Sequence, residues 1–177
     1  MLEVGCGDGA LTRELLDRGY AMTAIDPEPP DGEPFVRSTL EDFEAQEPFD
    51  AAVAIRSLHH LHDLDRGVAS LTAALAPGGR LVMFEFAAEH HDQAARAWAE
   101  SAGIAHEHEH EMDLHDVIAL AGVRAALAAR FTELVAEPAP YLAREADRED
   151  LVEREREAIA GGELEPLGMR LVYELRT

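Results

Sequence analysis

Short apolar runs alternate with amphipathic stretches through the first half of the chain. The first two runs are "MLEV" at 1–4 and "YAMTAID" at 20–26, and each has the length of a buried strand. Between them, Leu11, Leu15 and Leu16 lie on one face of the helical stretch "ALTRELLDRG". This alternation predicts βα units and a parallel sheet.

Two longer apolar runs extend the predicted sheet. They are "EPFDAAVAI" at 47–55 and "GRLVMFEFA" at 79–87. A helix is predicted between them because apolar residues recur at the i, i+4, i+7 and i+11 positions of one stripe. The sequence "LAPGG" ends this helix, since proline and glycine do not continue it. The stripe consists of Leu64, Val68, Leu71 and Leu75.

The connection between the second and third predicted strands contains no helical pattern. Only "PEPPDGE", residues 27–33, separates Asp26 from the next strand-like run, "PFVRST". A parallel crossover ordinarily takes a dozen or more residues and usually contains a helix. We therefore predict an extended loop in place of one crossover helix.

The second half of the chain is predicted to be helical before two closing strands. Helical stretches are predicted at 90–103 and, as one or two helices, at 113–130, where Asp113 suits an N-cap and Gly122 suits a break. The alternating runs "FTELVAEP" and "GMRLVYELR" predict strands that pair antiparallel at the edge of the sheet. A charged helix at 142–160 is predicted to connect them.

Composition and charge narrow the class of protein. Thirty-six acids against 15 bases give a net charge of −21, which opposes binding to the phosphate backbone of nucleic acid. No apolar run approaches the ~18 residues of a membrane helix, and no signal-peptide pattern opens the chain. The single Cys6 excludes an intramolecular disulfide. We expect one cytoplasmic α/β domain that binds neither nucleic acid nor membrane.

All 15 bases are arginine, and the chain contains neither lysine nor asparagine. Because Lys and Asn codons are AT-rich, this composition indicates a bacterium of high GC content. Adaptation to high salt is an alternative source of the acidity.

The glycine turn "EVGCGDGA" at 3–10 follows the first strand and fits two kinds of cofactor. Glycines between a strand and a helix let the backbone approach a ligand and direct free N–H groups at it. Gly5, Gly7 and Ala10, with Asp26 ending the second strand, satisfy the dinucleotide fingerprint. That interpretation predicts an NAD(P)-binding or flavin-binding Rossmann oxidoreductase.

The same turn resembles the first motif of the class I S-adenosylmethionine-dependent methyltransferases, E/D-x-G-x-G-x-G. Glu3, Gly5, Gly7 and Gly9 occupy its defined positions. Later stretches also resemble this family. Within it, the chain looks most similar to the small-molecule methyltransferases of the type that includes the ubiquinone and menaquinone enzymes. These stretches are "LEDF" at 40–43, similar to the adenine-binding segment, "FDAAVAIRSLHHLHD" at 49–63, similar to the strand-four motif, and "LTAALAPGGRLVMFEF" at 71–86, similar to the turn before strand five.

The resemblance implies S-adenosylmethionine as cofactor and in-line methyl transfer to a small-molecule acceptor. It implies a Rossmann-like, doubly wound, mostly parallel sheet with an antiparallel C-terminal edge strand. One methyltransferase-like domain would span 1–177, with 1–87 as the cofactor-binding half, 88–165 as the variable helical acceptor region and 166–177 as the closing strand. Because family members carry a helix before the first motif, we expect an N-terminally truncated domain. A non-catalytic relative that acts as a binding partner is the alternative, together with the oxidoreductase.

The resemblance also implies roles for individual residues. Asp26 would accept hydrogen bonds from both ribose hydroxyls, and Asp42, with Glu41 as the alternative, would accept from the adenine amine. Glu3 would orient the methionine amine, directly or through water. The backbone of Gly5, Gly7 and Arg56 would complete the methionine end.

His59 and His60 follow the fourth predicted strand, where ligands bind in open α/β sheets. If the acceptor is a hydroxyl or a C–H acid, one of these histidines is predicted to be the general base. The alternative is that the pair only caps and packs. Glu85, inside the fifth strand, either faces the acceptor or is a buried, paired acid.

The stretch "HEHEHEMDLH" at 106–115 is rich in histidine. In an extended conformation His106, His108 and His110 share one face, and three histidines can bind zinc. Their spacing matches no closed structural zinc site. We therefore interpret the stretch as a polar loop near the substrate entrance and predict no metal.

Overall fold

The computed structural model describes residues 1–104 and 117–177. Within these ranges the chain forms a seven-stranded sheet of order β3-β2-β1-β4-β5-β7-β6. Strands β1 to β5 are parallel, and β7 pairs antiparallel with both β5 and β6. The strands are Leu2–Val4 (β1), Thr23–Asp26 (β2), Phe35–Arg37 (β3), Phe49–Ile55 (β4), Leu75–Phe86 (β5), Phe131–Ala139 (β6) and Gly168–Leu175 (β7).

Helices connect most of the strands, and short 3₁₀ turns occur at 58–60, 88–90 and 149–151. Among the described residues, no helix is both long and apolar enough to cross a membrane. The helices are Ala10–Asp17 (α1), Leu64–Ala74 (α2), Gln93–Ser101 (α3), Leu120–Leu127 (α4), Leu142–Glu145 (α5) and Val152–Ala160 (α6).

The predicted fold class is confirmed, and the structure refines its C-terminal part. β7 lies between β5 and β6, so the last strand of the chain is inserted and β6 forms the edge. The predicted helix at 142–160 is divided into α5 and α6. The predicted break at Gly122 is wrong, because Gly122 lies inside α4, whose apolar residues are buried against the sheet. Asp113 lies outside the described residues.

The predicted absence of a helix between β2 and β3 is confirmed. Residues 27–34 form bends and turns, and the two strands still pair in parallel. Eight extended residues span roughly 26 Å, whereas a four-residue strand is about 13 Å long. The loop therefore reaches back to the start of the neighbouring strand without a helical crossover.

The core covers the two faces of the sheet unequally. On one face, α2 and α4 bury a cluster that runs from β1 to β7 and includes Leu71, Leu81 and Leu127. On the other face, Val82 and Ile55 are 41% and 37% exposed. A second cluster packs at the carboxyl end of β5, where the ring of Tyr141 stacks on that of Phe86 at 4.7 Å between centroids. Its other large members include Trp98, Leu164 and Leu167.

One carboxyl group lies inside the sheet at β1. Glu3 is 3% exposed, and its Oε2 accepts a hydrogen bond from the hydroxyl of Thr12 on α1. Burial raises the pKa of Glu3, while the Thr12 hydrogen bond lowers it by less. The Glu3–Thr12 bond therefore joins β1 to α1 at an electrostatic cost when Glu3 is ionised.

A second buried carboxylate holds the start of α5. Glu155 on α6 is fully buried. Its two oxygens accept hydrogen bonds from the backbone N–H groups of Tyr141, Leu142 and Ala143, at 2.7, 3.0 and 2.8 Å. Free N–H groups at a helix start favour an anion, so Glu155 caps α5 from another helix.

We expect Glu155→Ala to lower the free energy of unfolding by about 2–4 kcal/mol, because it leaves buried N–H groups without acceptors. Glu157→Ala, an exposed acid on the same helix, is the control and should change stability little. Urea unfolding measured by circular dichroism compares the two. Equal losses in both variants would contradict the capping role.

Glu3→Gln should stabilise the domain near pH 8. A carboxyl whose folded pKa is raised contributes stability below its unfolded pKa, and this contribution is lost as the pH rises through the folded pKa. The amide keeps an acceptor for Thr12 and carries no charge. The gain over wild type should therefore shrink as the pH falls through the range where Glu3 titrates. Thermal unfolding of Glu3→Gln and of the exposed control Glu28→Gln at several pH values measures this, and a gain that does not vary with pH would contradict it.

Candidate functional site

A pocket of about 310 Å³ opens at the carboxyl ends of the parallel strands β1 to β4. It lies at the point where the strand order reverses between β1 and β4, which is where ligands bind in open α/β sheets. The residues that line it are Val4, Gly5, Gly7, Ile25, Asp26, Pro27, Ser38, Thr39, Leu40, Glu41, Arg56, Ser57, His60, Leu61 and His62.

Gly5 lets the turn after β1 pass close to the end of β4. Its φ is +72°, and a Cβ atom at this position would lie 2.5 Å from the Cβ of Ser57. The Ser57 hydroxyl donates to the carbonyl of Val4 at 2.8 Å, so the two segments touch directly. Any larger residue at position 5 would push these two walls of the pocket apart.

The other two glycines of the motif, Gly7 and Gly9, have different structural roles. A Cβ on Gly9 would lie 2.5 Å from the ring of Phe35, so Gly9 lets β3 pack over the start of α1. Gly7 has open space where a side chain would stand, and it lines the pocket. Burial raises the pKa of the intervening Cys6 to about 11, which keeps this thiol protonated at neutral pH.

Asp26 ends β2 and faces the pocket. Its Oδ2 accepts the backbone N–H of Gly7 at 2.9 Å, and its Oδ1 accepts that of Glu28 at 2.8 Å. Two fixed donors hold the carboxylate, and each oxygen keeps a further lone pair for a ligand. This geometry suits bidentate recognition of two neighbouring hydroxyl groups.

Glu41 and Asp42 are neighbours in the sequence but lie in different places. Glu41 lines the pocket, and its Oε1 accepts the backbone N–H of His62 at 2.9 Å. Asp42 is exposed and does not line the pocket, because its carboxylate pairs with Arg66 at 2.6 Å. Of the two predicted alternatives, the structure brings Glu41 to the pocket.

Arg56 is held at the end of β4 in a left-handed conformation, with φ +52°. Its N–H donates to the carbonyl of Phe84 at 2.7 Å, and its guanidinium pairs with Glu145 of α5. Non-glycine residues rarely adopt this conformation, and where they do the surrounding structure enforces it. The positive charge of Arg56, which lines the pocket, is thus balanced by Glu145, which lies outside it.

Glu85 is a buried acid of β5 that lies beneath the turn at 57–60, which follows β4. It is fully buried, and its Oε1 accepts the N–H groups of Ser57 and Leu58 at 2.9 and 2.8 Å. Its Oε2 lies 2.5 Å from Nδ1 of His59 and also accepts its neighbour's N–H, that of Phe86, at 3.3 Å. Of the two alternatives for Glu85, an acid that faces the acceptor or a buried, paired acid, the structure shows the buried, paired acid.

The two predicted histidines differ in exposure. His59 is 5% exposed and does not line the pocket. His60 is exposed to solvent and lines the pocket, and its ring lies 4.1 Å from that of His59. Burial and the neighbouring His59 lower the pKa of His60. Its ring is thus neutral and able to accept a proton at physiological pH.

Several lining residues were not predicted from the sequence. Ser38, Thr39 and Leu40 follow β3, while Leu61 and His62 follow the turn after β4. The position of Ser38, Thr39 and Leu40 directly after a parallel strand is the signal that identifies them. Glu3 does not line the pocket and lies behind the glycine turn. The histidines of 106–115 lie outside the described residues, and within 1–104 and 117–177 no group of three or more His, Cys, Asp or Glu is arranged to hold a metal.

Comparison with known proteins identifies the family of the chain. Residues 1–122 match a family model described as a methyltransferase domain. An uncharacterized methyltransferase of Mycobacterium tuberculosis is 32% identical over 98 residues, covering 49% of this chain and 50% of the relative. A ubiquinone biosynthesis O-methyltransferase of Rickettsia akari is 24% identical over 96 residues, covering 47% of this chain and 38% of the relative. The chain thus spans half or less of the length of these relatives.

Solved structures share the fold. The N-methyltransferase NodS of Bradyrhizobium japonicum in complex with S-adenosylhomocysteine aligns over 99% of this chain and 77% of its own, with a TM-score of 0.59 and 19% identity. The resemblance inferred from the glycine turn and the later motifs is confirmed by the family match, which includes all of β1 to β5. The chain belongs to the methyltransferase domain family.

Proposed function

We propose that this chain binds S-adenosylmethionine in the pocket and transfers its methyl group to a small-molecule acceptor. The observation that carries the proposal is the Asp26 carboxylate, fixed by Gly7 and Glu28 at the carboxyl end of β2. The family match and the pocket of about 310 Å³ support it.

The chemistry of the lining residues fits this cofactor. S-adenosylmethionine carries a ribose diol, an adenine amine and a sulfonium cation, and it has no phosphate. The pocket offers the carboxylates of Asp26 and Glu41, while its Arg56 is engaged by Glu145. A pyrophosphate-bearing dinucleotide would place two negative charges near these acids, so the charges favour the sulfonium cofactor.

Each lining group has a proposed part in holding the cofactor. Asp26 would accept the ribose hydroxyls and Glu41 the adenine amine. The backbone of Gly5, Gly7 and Arg56 would contact the methionine end, and Glu3 would support the turn from behind through Thr12. When bound, S-adenosylmethionine supplies a methyl group, and the electron pair of the broken carbon–sulfur bond stays on the sulfur of the S-adenosylhomocysteine that leaves.

His60 is the proposed general base. It lines the pocket on the turn that follows β4, and its lowered pKa favours the neutral ring. Positioning of acceptor and cofactor supplies much of the rate, and a base within reach removes the proton that a hydroxyl acceptor must lose. The O-methyltransferase relative from Rickettsia akari is consistent with such an acceptor.

The proposed role of Asp26 is tested by cofactor binding. Calorimetric titration should show that wild type binds S-adenosylmethionine and S-adenosylhomocysteine, and that Asp26→Ala weakens both by roughly 10- to 100-fold, since charge-assisted hydrogen bonds are lost. Asp31→Ala, an exposed acid in the same β2–β3 loop, is the matched control.

Transfer is then measured with labelled S-adenosylmethionine and a panel of hydroxyl, amine and thiol acceptors. Label in a small product supports the proposal. Binding of NAD without S-adenosylmethionine would overturn it in favour of an oxidoreductase. Tight cofactor binding with no transfer to any acceptor would instead indicate the non-catalytic relative.

A further prediction separates the two acids of the adenine segment, Glu41 and Asp42. Glu41→Gln should weaken cofactor binding by roughly 10-fold, because a neutral amide accepts less strongly from the adenine amine. Asp42→Asn should leave binding within about twofold, since Asp42 pairs with Arg66 outside the pocket. Competition by adenosine and by inosine, which lacks the amine, should show a preference for adenosine that Glu41→Gln reduces. The opposite ranking of the two variants would assign the role to Asp42.

A further inference from the structure

A buried histidine–carboxylate pair lies directly beneath the proposed base. Nδ1 of His59 lies 2.5 Å from Oε2 of Glu85, and the His59 ring packs 4.1 Å from the ring of His60. The edge of His59 also meets the ring of Phe86, at 6.3 Å between centroids and 72° between planes. An ionised Glu85 can only accept, so in that state the hydrogen bond uses the Nδ1–H of His59.

The same carboxylate fixes the backbone of the turn that carries His60. Glu85 accepts the N–H groups of Ser57 and Leu58, and the His60 N–H donates to the Ser57 carbonyl at 3.2 Å to close the turn. From the other side, the N–H of Ile118 donates to the His59 carbonyl at 2.9 Å. Both the backbone and the ring neighbour of His60 are therefore set by Glu85.

Among the described residues, the charged or titratable groups that act on His60 are His59 on the same turn, Arg56 at the end of β4 and Glu85 on β5. Arg56 is paired with Glu145, which offsets its charge. Glu85 is shielded from solvent, so its negative charge acts through a medium that screens it weakly. When His60 takes up a proton, its positive charge is attracted by the buried carboxylate of Glu85.

We propose that Glu85 is the positioning residue for His60: it fixes the turn and the ring of His60 at the pocket, and its buried negative charge stabilises the positive charge that His60 gains when it takes a proton from the acceptor. This inference rests on the proposed function. The X–H bond of the acceptor breaks with its electron pair left on X, X bonds to the methyl carbon as the carbon–sulfur bond breaks with its pair on sulfur, and the proton goes to His60 and then to water. The acceptor class is accordingly one that has a proton to lose, such as a hydroxyl or an acidic C–H.

The titration of His60 tests the inference in the protein without cofactor. Ring resonances of His60 are assigned by comparison with His60→Gln and followed by NMR against pH. Glu85→Gln removes the anion and should lower the pKa of His60. His59→Asn keeps a side-chain N–H near Nδ1 for Glu85 but removes the imidazole ring that packs on His60, and it should raise the pKa of His60. Glu89→Gln, whose carboxylate instead caps α4 through the N–H groups of Leu120 and Ala121, is the matched control and should leave this pKa unchanged.

The pH profile of methyl transfer gives a second readout. The acidic limb of the rate should move to lower pH in Glu85→Gln and to higher pH in His59→Asn, with a plateau roughly 10-fold or more below wild type in Glu85→Gln. Rates that fall in both variants without any movement of this limb, or an unchanged His60 titration in both, would reduce Glu85 to a structural anchor and overturn the inference.

Two further measurements keep the outcomes distinct. If Glu85→Gln does not fold, Glu85→Asp decides the question, because the shorter side chain draws the carboxylate away from the N–H groups of Ser57 and Leu58 and from His59; a His60 pKa that stays unchanged overturns the inference. If wild type binds no S-adenosylmethionine, the proposed function fails by itself. The NMR titration then still decides whether Glu85 sets the charge of His60.

Discussion

Backbone N–H groups, rather than basic side chains, hold the carboxylates on which this structure depends. The chain has 36 acids and only 15 arginines to pair with them. Glu85 and Glu155 are both fully buried, and each accepts three backbone N–H bonds, most of them from a segment distant in the sequence. A buried charge is tolerable only when it is hydrogen-bonded in this way. The turn after β4 is therefore shaped by Glu85 of β5, and the start of α5 is shaped by Glu155 of α6.

These carboxylates also connect the two parts of the site. Asp26 joins the glycine turn to the end of β2, while Glu85 joins the turn after β4 to β5. The Arg56–Glu145 pair then links that turn to α5, which Glu155 holds in place. The wall that would hold the cofactor and the helices beyond β5 thus share one chain of polar contacts.

Local patterns predicted much of the fold and of the glycine turn, because strand length, helical periodicity and glycine spacing act within a few residues. The loop in place of a helix at 27–34 was predictable for the same reason. Partners distant in the sequence decided the rest. Glu41 and Asp42 lie in different places because Asp42 pairs with Arg66, and His59 is buried while His60 is exposed because His59 pairs with the buried Glu85. The insertion of β7 beside β5 and the continuity of α4 through Gly122 depend on sheet pairing and core packing, which no local pattern encodes.

The backbone-held carboxylates divide the electrostatics of the molecule into two parts that respond differently to ionic strength. A net charge of −21 creates long-range self-repulsion, and dissolved ions screen it over a Debye length of about 10 Å at 0.1 M. The hydrogen bonds of Glu85 and Glu155 lie where mobile ions do not reach. Added salt therefore relieves the repulsion, while the hydrogen bonds of these two buried carboxylates stay unscreened. Exposed pairs such as Arg56–Glu145 are screened together with the repulsion, so ionic strength acts on the surface of this fold and not on its buried carboxylates.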